Sequence, residues 1–428
     1  MHGSLDRRRF LQHTAVAGAL AATVGPRAAR AATSAADKIV LAVMGTNGRG
    51  AALAGDFAAQ DGAEVAYIAD VDHRATAKGV RAVTERGGAE PQAIGDFRRA
   101  LDDPQVDALV IAAPDHWHAP ATILACAAGK HVYVEKPASH NAQEGEWMVE
   151  AARRHGRVVQ LGTQRRSSPS YAEAVGRLRG GDIGSVLFAR AWINSTRPTI
   201  GHGSRAAVPN WLDWNLWQGP APEQPYVDNL VHYHWHWFWH WGTGELGNNG
   251  IHLLDVARWG MGVDDPEQVT CAGGKLFFDD DQQTPDTQLA TFQYGNRAIH
   301  WEHRTWHRRG FEGLPHGVAF YGTGGTLVIG DQRYVIYDME GRQVEETSVD
   351  RRDVAHLGDF LSAIRDGHRP NATIEEGVRS TLMCHLGNIA YRTGRTVRFD
   401  AQTRQIVDDA EQRALWGREY RSGWEPQV

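Results

Sequence analysis

Lys136 ends an apolar stretch, His-Val-Tyr-Val-Glu-Lys-Pro over residues 131–137, and it is the side chain in this sequence best placed for chemistry. Pro137 lacks the N–H that a sheet requires, so the strand predicted here stops at the lysine. In open α/β sheets, ligands bind at the carboxyl ends of the strands. Lys136 is therefore a candidate for exchanging a proton with a bound hydroxyl group. A solvated lysine at a strand end gives the same pattern, and the tripeptide alone does not separate the two.

A second group of polar residues comes from residues 248–255, far along the chain. His252 lies in a predicted helix, and Asp255 follows three residues later near the same face. Asn248 precedes the histidine by four residues, and its amide can orient a hydroxyl group but cannot accept its proton. We therefore expect Lys136 and His252 to carry the proton, Asn248 to position the hydroxyl group, and Asp255 to contact the substrate.

A glycine turn after the first apolar run is typical of nucleotide binding. Residues 39–44 predict a strand and residues 51–59 a helix, and between them stand Gly45, Asn47, Gly48, Arg49 and Gly50. Glycines let the backbone approach a pyrophosphate, and the N-terminus of the helix supplies N–H donors. Asn47 replaces the middle glycine of the usual pattern, which narrows the gap for the phosphates.

Asp70 ends the next predicted strand, residues 64–69, twenty residues after Gly50. A carboxylate at this position accepts hydrogen bonds from ribose hydroxyls and repels a 2′-phosphate. We therefore predict NAD as the cofactor, with NADP less favoured. A plain turn residue is the simpler alternative, but the order strand, glycine turn, helix, strand and acid favours a dinucleotide.

A loop predicted over residues 114–118 follows a third strand, residues 106–112, and precedes a helix predicted over residues 119–128. We assign Pro114, His116, Trp117 and His118 to the wall beside the nicotinamide, with Glu135 at the neighbouring strand end. His116 and His118 are also spaced as two metal ligands, but no third ligand lies near them in the sequence. No metal is predicted.

These motifs resemble those of the glucose/fructose oxidoreductase, inositol dehydrogenase and MocA (Gfo/Idh/MocA) family of NAD(P)-dependent oxidoreductases. The resemblance rests on the glycine turn, the 114–118 loop, the Glu-Lys-Pro of residues 135–137 and the Gly-Ile-His-Leu-Leu-Asp of residues 250–255. It covers nearly all of the chain after residue 31. It implies that Lys136 and His252 flank the reacting carbinol and that the Lys-Pro peptide is cis. Family members usually carry aspartate where this chain has Asn248.

The elements that must position these residues alternate between strand and helix up to residue 161. This order predicts an α/β domain with a doubly wound parallel (Rossmann) sheet over residues 36–161. Beyond it, an α+β domain over residues 162–428 is predicted, built on one large, mostly antiparallel, open sheet. Its predicted strands cover residues 186–193, 268–278, 288–294, 298–303, 317–321, 326–329 and 334–337, followed by helices over residues 354–366 and 375–392. The open face of such a sheet suits a second subunit, so we predict a homodimer or homotetramer.

A band rich in tryptophan and histidine holds eight of the fifteen tryptophans between residues 192 and 241. Aromatic faces stack on the C–H faces of sugars, so we assign Trp235, His236 and Trp237 to a carbohydrate substrate. A tryptophan-rich core or a subunit interface is the alternative. His232, His234 and His236 alternate, and in a strand they would share one face, as zinc ligands can. A pocket in which histidines bind hydroxyl groups accounts for the same residues.

Residues 1–31 resemble a twin-arginine export signal, because consecutive arginines precede a short apolar run, residues 15–24, and a small-residue site. The apolar run is too short to span a bilayer. Removing five arginines and one aspartate changes the formal charge from −6 to −10, a poor surface for nucleic acid or anionic lipid. The three cysteines lie far apart and predict no disulfide framework. We therefore expect a periplasmic protein that is exported folded, with its cofactor bound.

The predicted reaction is hydride transfer between the nicotinamide and a secondary hydroxyl group of a sugar, sugar derivative or cyclitol. Arg165 and Arg166 follow the strand predicted over residues 157–161, and we assign them to the same substrate, with a surface pair as the equal alternative. Because a periplasm offers little free NAD, the cofactor should be held tightly. Two other functions remain open: NAD-dependent cleavage of a glycoside through transient ring oxidation, and non-catalytic binding of a sugar or nucleotide.

Overall fold

The computed structural model describes residues 38–349 and 354–428. The predicted export signal, residues 1–31, lies outside the described residues. Within them, no helix is both long and apolar enough to span a membrane.

The first sheet of the described chain has six parallel strands in the order β3-β2-β1-β4-β5-β6. The strands are β1 (Ile39–Met44), β2 (Ala63–Ala69), β3 (Gln92–Ile94), β4 (Ala108–Ile111), β5 (His131–Val134) and β6 (Val159–Leu161). The order reverses between β1 and β4, and a crevice forms at such a point outside the carboxyl ends of the strands. The predicted Rossmann arrangement is confirmed.

Helices cover both faces of this sheet: α1 (Arg49–Ala58), α2 (His73–Glu85), α3 (Arg98–Leu101), α4 (Asp115–Ala127) and α5 (Ala142–His155). The Asn141 side chain accepts the N–H of Glu144 and so starts α5, and Gly156, with φ of 61°, ends it. The start of α4 corrects the sequence prediction. This helix begins at Asp115 rather than residue 119, so the predicted 114–118 loop is its first turn.

The second sheet of the described chain has ten strands, in the order β14-β13-β12-β11-β7-β10-β9-β8-β15-β16. Its strands are β7 (Val186–Asn194), β8 (Gln268–Gly274), β9 (Thr287–Tyr294), β10 (Arg297–Arg304), β11 (His316–Gly322), β12 (Thr326–Ile329), β13 (Arg333–Tyr337), β14 (Gln343–Ser348), β15 (Val397–Asp400) and β16 (Gln405–Ile406). Strands β7 and β10 pair in parallel and their other neighbours are antiparallel, which confirms the predicted mostly antiparallel sheet. The sequence prediction missed β14, β15 and β16 at the edges.

The remaining helices are α6 (Pro169–Gly180), α7 (Trp214–Gln218), α8 (Ile251–Met261), α9 (Val354–Asp366), α10 (Ile374–Thr393) and α11 (Ala410–Ala414). Leu357, Phe360 and Leu361 of α9 are buried in the same apolar cluster as Leu41 and Val43 of β1. A helix from the C-terminal part of the chain therefore covers the first sheet. The boundary proposed between residues 161 and 162 stays a prediction.

Candidate active site

A cavity of about 440 Å³ opens at the carboxyl ends of β1, β2, β4 and β5. Its lining includes the glycine turn and Asp70. It also includes Lys136, Asn248 and His252, the three residues predicted to take part in the chemistry. Residues from distant parts of the sequence therefore meet around one space.

The glycine turn is held tightly against the neighbouring strand end. Gly45 has φ of +84°, and a Cβ there would lie 2.7 Å from the carbonyl oxygen of Ala112. A Cβ on Gly50 would lie 1.9 Å from the carbonyl oxygen of Gly45, so Gly50 allows the turn to close without itself lining the cavity. Gly48 and Asn47 do line it. The Asn47 side chain accepts a hydrogen bond from Nζ of Lys78 at 2.6 Å.

Asp70 lies at the end of β2, where a dinucleotide would place its ribose hydroxyls. Its carboxylate accepts the N–H groups of Thr46 (2.6 Å) and Asp72 (2.9 Å), while burial raises its pKa. Arg74 pairs with Asp72 at 2.8 Å instead, and its guanidinium lies 3.4 Å from the ring centroid of Trp211. The Asp70 carboxylate itself suits an unphosphorylated ribose, and therefore NAD, because it would repel a 2′-phosphate.

Two other predicted cofactor residues bind each other. Nε of Arg49 donates to Oε1 of Glu135 at 2.8 Å, which joins the first turn of α1 to the end of β5. Both residues line the cavity. Their charges are therefore paired where the dinucleotide would lie.

His118 positions the strand end that carries Lys136. The Lys136–Pro137 peptide is cis, and Nδ1 of His118 lies 2.6 Å from the carbonyl oxygen of Pro137. Nε2 of His118 lies 2.8 Å from the carbonyl oxygen of Ala113, after β4. Burial lowers the pKa of this imidazole, and a neutral imidazole can donate to only one of the two carbonyls. His118 thus lies between two strand ends that line the cavity and is hydrogen-bonded to one of them.

Lys136 reaches across to the second half of the chain. Its Nζ donates to the backbone oxygen of Asn248 at 2.8 Å and to the side-chain oxygen at 3.3 Å. Asn248 lies in a π-helical turn, Leu246–Gly250, that leads directly into α8. Such turns often occur at functional sites, because the extra residue redirects side chains. His252, half-buried in the first turn of α8, lines the same cavity.

The sequence prediction missed Asp115 and Tyr233, which also line the cavity. Asp115 accepts a hydrogen bond from Oγ1 of Thr243 at 2.7 Å, and burial raises its pKa to about 7. Its place one residue after Pro114, at the end of a predicted strand, was an available signal. Tyr233 lies within the aromatic band and had no distinguishing signal.

His232, His234 and His236 do not lie in a strand. Residues His234–Trp237 form a single 3₁₀ turn, so the alternation of the histidines does not place them on one face. Nε2 of His232 lies 2.7 Å from Oδ2 of Asp72. Nδ1 of His234 donates to the backbone oxygen of Asn229, and Nδ1 of His236 donates to the backbone oxygen of Tyr233. Within the described chain, no group of three potential ligands is arranged to hold a metal ion.

Most of the tryptophan band packs against itself. Trp214 stacks on Trp217 with 4.8 Å between ring centroids, and both belong to a small apolar cluster with Trp241. Trp235 lines the cavity and stacks on His236 at 3.6 Å. Of the eight tryptophans, Trp217 and Trp235 line the cavity, so a local core accounts for most of the band.

Arg166 and Asp255, both assigned to the substrate from the sequence, form an ion pair away from the cavity. Nε and Nη2 of Arg166 donate to the carboxylate of Asp255 at 2.9–3.0 Å, and Oγ of Ser380 donates to it at 2.6 Å. Both residues are almost fully buried, and neither lines the cavity. The pair joins the turn after β6 to helices α8 and α10.

Three more predicted site residues lie outside the cavity lining. Arg165 is buried, with Nη2 3.5 Å from a carboxylate oxygen of Asp331. Trp237 is buried with the Arg197 guanidinium 4.9 Å from its ring centroid. His116 is fully buried, and Nε2 donates to the carbonyl oxygen of Trp217 at 2.9 Å. Burial lowers the pKa of His116 to about 3, so it stays neutral. Pro114 and Trp117 line the cavity.

Two family models match the chain. One, described as the NAD-binding Rossmann fold of an oxidoreductase family, matches residues 39–163. The other, described as the C-terminal alpha/beta domain of the same oxidoreductase family, matches residues 200–426, more than half of the chain. The chain belongs to the Gfo/Idh/MocA oxidoreductase family. With Asp70 at the end of β2, its first sheet is that of an NAD-binding member.

Relatives of this family member match over limited segments. The scyllo-inositol 2-dehydrogenase (NAD(+)) of Bacillus subtilis is 34% identical over 97 residues, which is 23% of this chain and 28% of that protein. The levoglucosan dehydrogenase of Pseudarthrobacter phenanthrenivorans is 29% identical over 39% of this chain and 36% of its own length. A glycosyl hydrolase family 109 protein of Saccharopolyspora erythraea is 31% identical over 38% of this chain and 37% of its own length. The chain thus spans under two fifths of the length of these relatives.

Solved structures with the same fold match this chain over nearly their whole length. A levoglucosan dehydrogenase in complex with NADH and levoglucosan superposes with a TM-score of 0.65 at 18% identity. The match covers 84% of this chain and 99% of that one. At this identity the likeness establishes the fold.

Proposed function

We propose that this protein transfers hydride between NAD and a secondary hydroxyl group of a sugar, sugar derivative or cyclitol. The observation that carries the proposal is a single cavity lined both by Asp70 and the glycine turn and by Lys136, Asn248 and His252. The sugar and cyclitol dehydrogenases among its relatives support the substrate class.

NAD, when bound along the glycine turn, supplies the acceptor for the hydride. Lys136 and His252 hold the carbinol between them, and either His252 or the neutral amine form of Lys136 can take the hydroxyl proton as the C–H bond gives up its hydride. Asn248 keeps Nζ of Lys136 in place through two hydrogen bonds. Its amide orients the hydroxyl group and takes no proton.

The covering segment, residues 205–241, supports tight retention of the cofactor. It crosses to the nucleotide side of the cavity and binds the loop after β2. The N–H of Asp213 donates to the carbonyl of Val71 at 2.9 Å, and an antiparallel bridge joins Asp72 to Leu212. His232 adds its contact with Asp72 at 2.7 Å. Release of a dinucleotide that lies under this segment requires these contacts to open.

A retained cofactor also favours a second function, net cleavage of a glycoside. The sugar ring would be oxidised, lose its substituent by elimination, add water across the double bond that results and then be reduced, so that NAD is regenerated in place. The relative named as a glycosyl hydrolase family 109 protein supports this alternative. Both functions use the same cavity and the same hydride.

Export by the twin-arginine route, a periplasmic location and a homodimer or homotetramer formed through the second sheet are parts of the same proposal. A cofactor that travels with the folded protein fits the covering segment. These proposals are tested by cell fractionation and by light scattering of the purified protein.

Product analysis without added cofactor tests the proposal. The purified protein is denatured, and the released small molecules are identified by mass spectrometry; we expect NAD. The native protein is then incubated with scyllo-inositol, levoglucosan, glucose and an aryl glucoside. A keto product with reduced nicotinamide indicates dehydrogenation, and a released phenol without net reduction indicates cleavage. Failure to bind NAD, in purified or in reconstituted protein, contradicts both functions.

A further inference from the structure

The amide of Asn248 has its orientation set by its neighbours. The Lys136 ammonium donates to its oxygen at 3.3 Å, whereas its nitrogen lies 3.4 Å from a carboxylate oxygen of Glu245. An ammonium group only donates and a carboxylate only accepts, so the amide nitrogen must face Glu245. From there it also donates to the hydroxyl oxygen of Tyr233 at 3.4 Å. Asn248 therefore links Lys136 to Tyr233 through hydrogen bonds, but its amide can neither accept nor release a proton in the reaction.

The Tyr233 hydroxyl group has two donors directed at its oxygen. Nη1 of Arg197 donates to it at 2.9 Å, and Asn248 supplies the longer second hydrogen bond. Tyr233 lines the cavity, and 48% of its surface is exposed. Within the described chain, no acceptor lies in hydrogen-bond range of its own proton. This proton is therefore available to a ligand in the cavity.

Arg197 is fixed behind the tyrosine by a buried partner. It binds the Glu245 carboxylate through two contacts of 2.9 and 3.0 Å, and Glu245 is almost fully buried. Its guanidinium also lies 4.9 Å from the ring centroid of Trp237. The same guanidinium places a positive charge 2.9 Å from the Tyr233 hydroxyl oxygen, beside the atom that would lose the proton. Arg197 and Glu245 are thus positioning residues for Tyr233, and Trp237 packs behind them.

We propose that Tyr233 is a further catalytic acid and base of this site, beside Lys136 and His252, a role that Asn248 cannot fill. The inference rests on the proposed hydride transfer. When a ketone is reduced, hydride adds to the carbonyl carbon and the Tyr233 proton passes to the carbonyl oxygen. The phenolate that results lies beside the Arg197 guanidinium. In the oxidation, the phenolate takes the hydroxyl proton while the two electrons of the C–H bond leave with the hydride.

The test compares Tyr233→Phe with wild-type holoenzyme, using whichever of the four compounds named above the wild type converts fastest. Tyr321→Phe is the matched control, because Tyr321 donates to Glu312 from the second sheet and does not line the cavity. We expect Tyr233→Phe to lower kcat by about 10²-fold or more and to remove one limb of the pH–rate profile. The Kd of the same compound, measured by calorimetry, should rise about two- to tenfold for the lost hydrogen bond.

Arg197→Lys keeps a positive charge near the phenol, so it should retain more activity than Arg197→Met. A wild-type rate and pH profile in Tyr233→Phe, together with loss of transfer in Lys136→Met, overturns the role of Tyr233 and leaves the proposed function standing. Absence of transfer from all four compounds in wild-type holoenzyme overturns both. Equal losses in Tyr233→Phe and Tyr321→Phe also overturn the role, since they indicate a general effect on folding.

Discussion

Replacing Asp255 by asparagine distinguishes a structural carboxylate from one that binds substrate. Asp255 is almost fully buried and accepts four hydrogen-bond contacts from Arg166 and Ser380 that measure 2.6–3.0 Å. Asparagine has nearly the same volume but removes the negative charge and turns one acceptor into a donor. Arg166 would keep a contact with Glu376 at 3.2 Å, the nearest remaining carboxylate. The variant therefore leaves a buried guanidinium short of its main partner.

The loss of stability should be large. Removal of one partner from a buried ion pair costs about 3–5 kcal/mol. Because Glu376 still offsets part of the Arg166 charge, we expect a decrease in the free energy of unfolding near the lower end, about 3 kcal/mol. Urea unfolding followed by tryptophan fluorescence measures it. Glu150→Gln is the control, since Glu150 pairs with Arg153 in an exposed contact and should change stability by less than about 1 kcal/mol.

The difference between wild type and Asp255→Asn should also depend on pH. Burial alone would raise the pKa of Asp255, but Arg166 and its hydrogen bonds hold it below its usual value. The stability that this ionised carboxylate contributes is present above its unfolded-state pKa, about 4, and is lost as pH falls through the lower folded-state value. The two proteins should therefore approach each other in stability below about pH 4. Near-wild-type stability combined with lost sugar binding would refute this reasoning and return Asp255 to the substrate site.

Three further substitutions test the cofactor side. Asp70→Ser should weaken NAD binding about tenfold and improve NADP binding, because it removes the carboxylate that repels a 2′-phosphate. Fluorescence titration measures both affinities, and an unchanged ratio of NAD to NADP affinity would contradict the role of Asp70. His232→Ala should speed NAD release about tenfold in a stopped-flow chase, because it removes the contact with Asp72. His316→Ala loses a similar contact with Asp331 and should not change the release rate. If the two variants release NAD at equal rates, the covering segment does not retain the cofactor. Gly50→Ala should prevent NAD binding or folding, since the added Cβ would meet backbone atoms. Gly176→Ala in α6 adds a Cβ in open space and should leave the circular dichroism spectrum unchanged. A Gly50→Ala protein that binds NAD normally would contradict the tight turn.

Much of the fold and the cofactor end of the site could be predicted because their signals are local. An apolar run that ends at Pro137 sets the position of Lys136, and a glycine turn between strand and helix sets that of Gly45. Asp70 follows from the same repeating unit. The positions of these residues could be predicted without knowledge of contacts made by the second half of the chain.

The substrate end was less predictable because it depends on contacts across long stretches of sequence. The hydrogen bond between Lys136 and Asn248 joins residues 112 positions apart. Spacing indicated that His252 and Asp255 lie near one face of α8, but it could not tell which part of that face meets the cavity. His252 faces the cavity, and Asp255 faces Arg166 and α10. Tyr233 lies in a stretch of irregular backbone. The sequence there has no helical or strand periodicity from which the direction of a side chain could be predicted.

The central claim is that Lys136 and the nicotinamide act on the same carbinol. The most direct measurement follows deuterium from the carbinol carbon of a labelled substrate into the bound cofactor, in single-turnover experiments analysed by mass spectrometry. We predict that wild-type holoenzyme places the deuterium on C4 of the nicotinamide and that Lys136→Met, with NAD still bound, transfers it at least about 10²-fold more slowly. Transfer by Lys136→Met at the wild-type rate, or no deuterium in the cofactor of the wild type, would contradict the account.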